Sequence, residues 1–145
     1  MYKVFAPRDM NRTFAQARNA GDVQGLLSLF EPEAVIQEEE RRCAGTDELR
    51  AHLEWLVALG GEMISENNFA VEAGELALLR ADYAIYQDGK ITIAGSSAEV
   101  VRRQPDGSWL YVIDFPVASL RPNVLGELAT NDVPCGRPAI EEYGT

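Results

Sequence analysis

Residues 14–36 read FAQARNAGDVQGLLSLFEPEAVI, and this stretch decides how the rest of the chain is read. It divides at Asn19-Ala20-Gly21. Upstream, Met10, Phe14 and Ala17 recur at helical spacing over 8–20 with polar residues between them, which predicts an amphipathic helix. Downstream, Asp22 is placed to cap a second, short helix, because its carboxylate accepts a free N–H of the first turn. Val23, Leu26, Leu27 and Phe30 give that helix its apolar face, and Pro32 lies just past its end. Residues 33–40 then alternate as a strand, with Ala34, Ile36 and Glu38 on one face and Val35, Gln37 and Glu39 on the other.

Beyond this stretch Gly45 breaks the chain, and Thr46 suits the cap of a third helix with Asp47 and Glu48 in its first turn. Leu49, Leu53, Leu56 and Val57 form its apolar stripe, and Gly60-Gly61 ends it. The period then changes. Segments 62–72, 75–87, 90–103 and 108–116 are rich in β-branched and aromatic residues. Ala73-Gly74, Asp88-Gly89 and Pro105-Asp106-Gly107 separate them, and glycine in the last two accepts the positive φ of a tight turn. Helices followed by hairpin-linked strands predict an α+β fold with a mostly antiparallel sheet, covered on one face by the three N-terminal helices. Residues 117–145 carry Pro122, Pro134 and Pro138 and little periodicity beyond one or two helical turns expected at 123–129. They read as a C-terminal extension of the domain formed by 1–116.

The helix pair at 14–36, the Gly45-Thr46 helix start and PDGSWLYVIDF at 105–115 together resemble the nuclear transport factor 2-like superfamily, in its SnoaL-like and ketosteroid isomerase-like branch. The likeness runs over residues 8–116. It implies a cone-shaped half-barrel, the cystatin-like arrangement of helices on a curved sheet, with a pocket between them. Members of this fold include isomerases, cyclases, dehydratases and non-enzymes, so activity does not follow from fold.

In the ketosteroid isomerases a carboxylate base works with an oxyanion hole made by a tyrosine and a neutral carboxylic acid. The resemblance places Glu38 at the base and Glu99 at the neutral acid. Phe14 falls where the tyrosine would be, and phenylalanine has no hydrogen to donate to an enolate oxygen. Tyr83 and Tyr86 are the candidate substitutes. From the residues themselves, Glu38 opens the charged run Glu38-Glu39-Glu40-Arg41-Arg42, which also reads as a solvated loop. Pairing across the Pro105-Asp106-Gly107 turn puts Glu99 and Val101 on one face with Leu110, Val112 and Asp114, and Ala98, Val100, Trp109, Tyr111 and Ile113 on the other. Glu99 and Asp114 then share a site in which one acid raises the pKa of the other. The alternative is neutralisation by Arg80, Arg102 or Arg103 as a structural pair. His52, the only histidine, shares a helix face with Trp55 and Leu59 and is a candidate acid–base partner of Glu38. The expected catalytic set is Glu38, Glu99, Asp114 and His52. The expected pocket is Phe14, Ile36, Trp55, Tyr83, Val101 and Val112, around a small apolar ligand. Trp109, Tyr111 and Ile113 on the uncovered face predict a homodimer.

Composition sets the limits. The chain has 145 residues, 46% hydrophobic and 25% charged, which suits one ordinary globular domain. Its net charge of −10 and its two lysines, Lys3 and Lys90, argue against nucleic acid and anionic membranes as partners. No segment has the length and apolarity of a membrane span, and the first residues lack a secretory pattern, so the expected compartment is the cytoplasm. Cys43 and Cys135 form no CxxC pair, a structural zinc site needs about four Cys/His ligands, and no phosphate-binding glycine loop is present. No metal or cofactor is expected. The reading is a small-molecule pocket protein, either an isomerase- or lyase-type acid–base enzyme acting on a carbonyl compound or a non-catalytic binding domain.

Overall fold

The computed structural model describes residues 1–118. A short 3-10 turn at Pro7–Asp9 leads into helix α1 (Met10–Asn19), followed by α2 (Val23–Leu27), strands β1 (Phe30–Gln37) and β2 (Arg42–Ala44), helix α3 (Thr46–Ala58), and β3 (Glu62–Ala73), β4 (Leu76–Gln87), β5 (Lys90–Arg103) and β6 (Trp109–Phe115). The strands form one sheet in the order β2-β1-β6-β5-β4-β3. Among the described strands only the β1–β6 pair is parallel. All but the first two residues of the C-terminal extension lie outside the described residues, as does Cys135. Cys43 is buried on β2.

Local chemistry explains most boundaries. The Asp22 carboxylate accepts the Gly25 N–H at 2.7 Å, as expected of a cap. Gly60 and Gly61 both hold positive φ, 71° and 69°, which ends α3 with little strain. Asp88 and Gly89 turn the β4–β5 hairpin with φ of 53° and 76°. Several boundaries differ from the sequence reading, and β1 ends at Gln37, so Glu38 lies just past the strand rather than on its face. Phe30 begins β1 rather than closing α2, and Gly45, not Thr46, precedes the first helical residue of α3.

The sheet curves because its long strands carry extra residues. Asn68 in β3, Thr92 in β5 and Val112 in β6 each lack a register partner. Such bulges bend a strand and increase its twist. The concave face receives the helices, and Met10, Leu26, Leu49, Leu53 and Leu79 fill the space between the layers.

The bulge at Val112 corrects the predicted faces of β6. Strict alternation puts Tyr111 and Ile113 together. With the extra residue, Val101 pairs with Tyr111 while Val100 pairs with Ile113. Trp109 and Tyr111 therefore point inward and are 2% and 1% exposed, whereas Ile113 is 44% exposed on the convex face. Two of the three residues on which the dimer expectation rested are thus core residues. The convex face is apolar through others, among them Ile64, Val71, Leu78 and Ile91.

Candidate functional site

A cavity of about 170 Å³ opens between α1, α3 and the concave face of the sheet. Its walls are Phe14 from α1, Leu56 from α3, Leu59 just past the end of α3, Met63 from β3, and Ile85 and Ile93 from β4 and β5. Glu38, His52 and the exposed Trp55 also line it. Its polar groups include Asn11, Ser97, Glu99, Tyr111 and Asp114. A mostly apolar cavity with a few convergent polar groups is the usual make-up of a small-molecule site.

The two acids come together by strand register. Glu99 on β5 pairs directly with Asp114 on β6. Glu99 is 2% exposed. Among the described residues, neither acid has a lysine or arginine within ion-pair distance. Arg80 pairs with Asp82 at 3.3 Å, Arg102 with Glu31 at 3.0 Å and Arg103 with Glu75 at 2.8 Å, all elsewhere. Burial pushes the Glu99 carboxyl up to about 7, against the opposing pull of the nearby Ser97 hydroxyl, which lies outside hydrogen-bonding geometry, and of the Asn11 hydrogen bond. Burial, then the Glu99 charge and then the Glu38 charge, hold Asp114 well above the usual carboxylate range. Two such groups side by side retain a proton between them at neutral pH.

The hydrogen-bond network shows which Glu99 oxygen is free to carry a proton. The Asn11 backbone N–H donates to Asn67 Oδ1 at 3.1 Å, which orients the Asn67 amide. Asn67 Nδ2 then donates to Asn11 Oδ1 at 3.3 Å, and the Tyr111 hydroxyl donates to the same oxygen at 2.9 Å. Asn11 Nδ2 must therefore face Glu99, and it donates to Oε2 at 3.0 Å. Oε2 accepts, so a proton on Glu99 belongs on Oε1. That buried oxygen has no hydrogen-bond partner.

The other candidates are distributed around this pair. Glu38 Oε1 is held by Arg41 Nη2 at 2.6 Å, with His52 Nδ1 3.9 Å away. The expected base is thus ion-paired to arginine. Burial lowers the pKa of His52, Arg41 lowers it further and Glu38 opposes them, which favours the neutral ring. Trp55 lies beside His52 with ring centroids 5.5 Å apart. The Tyr83 hydroxyl donates to the Pro116 carbonyl at 2.6 Å, and Tyr86 is exposed on the convex face, so neither takes the place of the absent tyrosine. Phe14 meets Tyr111 edge-on at 6.1 Å, which brings a tyrosine from another element to that end of the cavity.

Three expected pocket residues lie outside the cavity lining. Ile36 and Val101 are fully buried in the core, and Val112 is the unpaired residue of the β6 bulge. Phe14, Trp55 and Tyr83 do line the cavity, with all four expected acid–base residues. Asn11, Ser97 and Tyr111 were missed. Ser97 is two residues from Glu99, so strand alternation already places it on the same face; Asn11 is three residues from Phe14 on one helix.

Among the described residues no group of three or more His, Cys, Asp or Glu side chains is arranged to hold a metal ion. None of their helices is long and apolar enough to cross a membrane.

No protein-family model matches the chain, and no curated protein matches it in sequence. Solved structures do match. A domain of unknown function with a cystatin-like fold from Nostoc punctiforme superposes with a TM-score of 0.67 at 17% identity, covering 94% of this chain and 89% of that one. A ketosteroid isomerase-like protein from Erwinia carotovora atroseptica gives 0.58 at 20% identity, over 73% and 88%. A nuclear transport factor 2-like protein of unknown function from Pseudomonas putida gives 0.62 at 20% identity, over 81% and 85%. At these identities the likeness is one of architecture. With its N-terminal helices laid into a curved, mostly antiparallel sheet, the chain has the fold of the nuclear transport factor 2-like superfamily.

Proposed function

We propose that this protein binds a small apolar carbonyl compound and performs acid–base chemistry of the isomerase or lyase type on it. The observation that carries this reading is the Glu99–Asp114 pair, two acids in register in an apolar cavity without a cationic partner among the described residues. Glu99 Oε1–H donates to the carbonyl oxygen of the bound compound. Glu38, beside His52, removes a proton from the carbon next to that carbonyl. The C–H electron pair moves into the new C=C bond, and the carbonyl electrons move onto the oxygen held by Glu99. Returning the proton from Glu38 to a different carbon completes an isomerisation. Donors of this kind contribute about 10²–10³ in rate. The exposed apolar convex face is read as the contact with a second copy of the chain.

A second reading is favoured by one specific contact. The Arg41–Glu38 ion pair engages Oε1 of the carboxylate that would act as the base. The protein then binds its ligand without turning it over.

Solvent-deuterium exchange into a panel of single-ring β,γ-unsaturated ketones and lactones separates the two. The catalytic reading expects exchange by the wild type, a loss of about 100-fold in Glu99→Gln and loss to background in Glu38→Gln. Absence of exchange in the wild type leaves the binding reading, and exchange that is unaffected in Glu38→Gln removes Glu38 as the base.

A further inference from the structure

Two buried polar atoms in this cavity have no hydrogen-bond partner among the described residues, Glu99 Oε1 and Ser97 Oγ. Both residues are nearly inaccessible, at 2% and 3% exposure, and both line the cavity. Buried polar groups are nearly always paired, because an unmade hydrogen bond in an apolar surrounding is costly. Two such orphans on one wall of one cavity are the imprint of a ligand that supplies two polar atoms. Ser97 and Glu99 occupy alternate positions of β5, so both side chains point to the concave face, with Cα atoms about 7 Å apart. Side chains of their length reach from that spacing to oxygens on neighbouring carbons of one molecule.

The volume of the cavity indicates the size of the part of the ligand it holds. A cavity of about 150 Å³ lined by aliphatic and aromatic side chains accommodates benzene. Here about 170 Å³ is bounded by Phe14, Leu56, Leu59, Met63, Ile85 and Ile93. That is room for one ring and its substituents inside the cavity.

We infer that the ligand is a compact single-ring compound with two neighbouring oxygens, a carbonyl seated on Glu99 and a hydroxyl seated on Ser97, so that Ser97 is a specificity-determining residue of the pocket. The inference rests on the carbonyl-pocket reading above and narrows it to hydroxy-ketones and compounds of that shape. A serine hydroxyl both donates and accepts, and so matches a ligand hydroxyl. Alanine at this position keeps the cavity and removes only that match.

The test is calorimetric titration at pH 6 of wild type and Ser97→Ala with two probes, acetophenone and α-hydroxyacetophenone. Wild type is expected to hold the hydroxy-ketone about tenfold more tightly than acetophenone, the worth of one buried hydrogen bond. Ser97→Ala is expected to lose that preference while binding acetophenone within about twofold of wild type, which also shows that the variant is folded. Equal affinities of wild type for the two ketones, or equal weakening of both in Ser97→Ala, overturns the assignment of Ser97 and leaves the pocket reading standing. Binding of neither ketone by the wild type overturns both.

Discussion

Glu99→Gln is expected to stabilise the protein above neutral pH and to flatten its dependence of stability on pH. The folded state holds the Glu99 carboxyl near 7 against an ordinary value of 4.5, chiefly through burial. A carboxyl raised in this way favours the protonated form on folding. Its contribution is fully present below the unfolded value and is lost as pH rises through the folded one. Between about pH 4.5 and pH 7 the wild type therefore loses roughly 3 kcal/mol through this group, at about 1.36 kcal/mol for each pKa unit. Glutamine has nearly the same shape, keeps an oxygen for the Asn11 amide and does not ionise. Relative to their difference at pH 4.5, the variant should gain on the wild type by roughly 3 kcal/mol at pH 8, or on the order of 10 °C in melting temperature. Asp114 supplies the residual slope in both proteins. Thermal melts of the two at closely spaced pH values check this, and parallel curves would show that Glu99 is ionised and solvated in the folded state.

Arg18→Met is expected to cost roughly 3–5 kcal/mol, an effect outside the candidate site. Arg18 on α1 is 2% exposed, and burial lowers its pKa. Its guanidinium donates to the Leu56 carbonyl at 3.2 Å and the Gly61 carbonyl at 2.9 Å, and also to the Gly60 carbonyl. These lie at and just past the end of α3, where helix carbonyls lack intrahelical donors and the dipole favours a cation. Methionine fills much of the same volume but leaves the carbonyls without their donor. Lysine keeps the charge without the planar fork, so Arg18→Lys should cost about half as much. Urea unfolding should show the loss as a lower midpoint at unchanged slope. A loss below about 1 kcal/mol for Arg18→Met would mean that water replaces the guanidinium at little cost.

Local signals in the sequence carried the fold. Asp22, Gly60-Gly61 and Asp88-Gly89 each mark a boundary through chemistry that acts over a few residues, and the structure uses each of them there. Strand β2 was not legible, because Arg42–Ala44 follows a run of charges and reads as loop. It forms only because Ile36 and Cys43 pair across the β1–β2 hairpin and bury Cys43. The Val112 bulge was not legible either, since nothing in WLYVIDF distinguishes an extra residue from an alternating strand. That single residue moved Tyr111 from the expected outer face to the centre of the Asn11–Glu99 network. The acids themselves were legible by residue type and alternation. The lack of an arginine partner among the described residues was not, because it depends on where Arg80, Arg102 and Arg103 turn in three dimensions.

The catalytic reading of the cavity depends on a proton retained by the Glu99–Asp114 pair at neutral pH. Carbon-13 labelling of the glutamate and aspartate carboxyls, followed by NMR from pH 4 to pH 9, reads that proton directly. The pair is expected to titrate in two coupled steps, with Glu99 near 7 and Asp114 held well above its ordinary range. Independent titration of both carboxyls below about pH 5, as for solvated acids, would contradict the account.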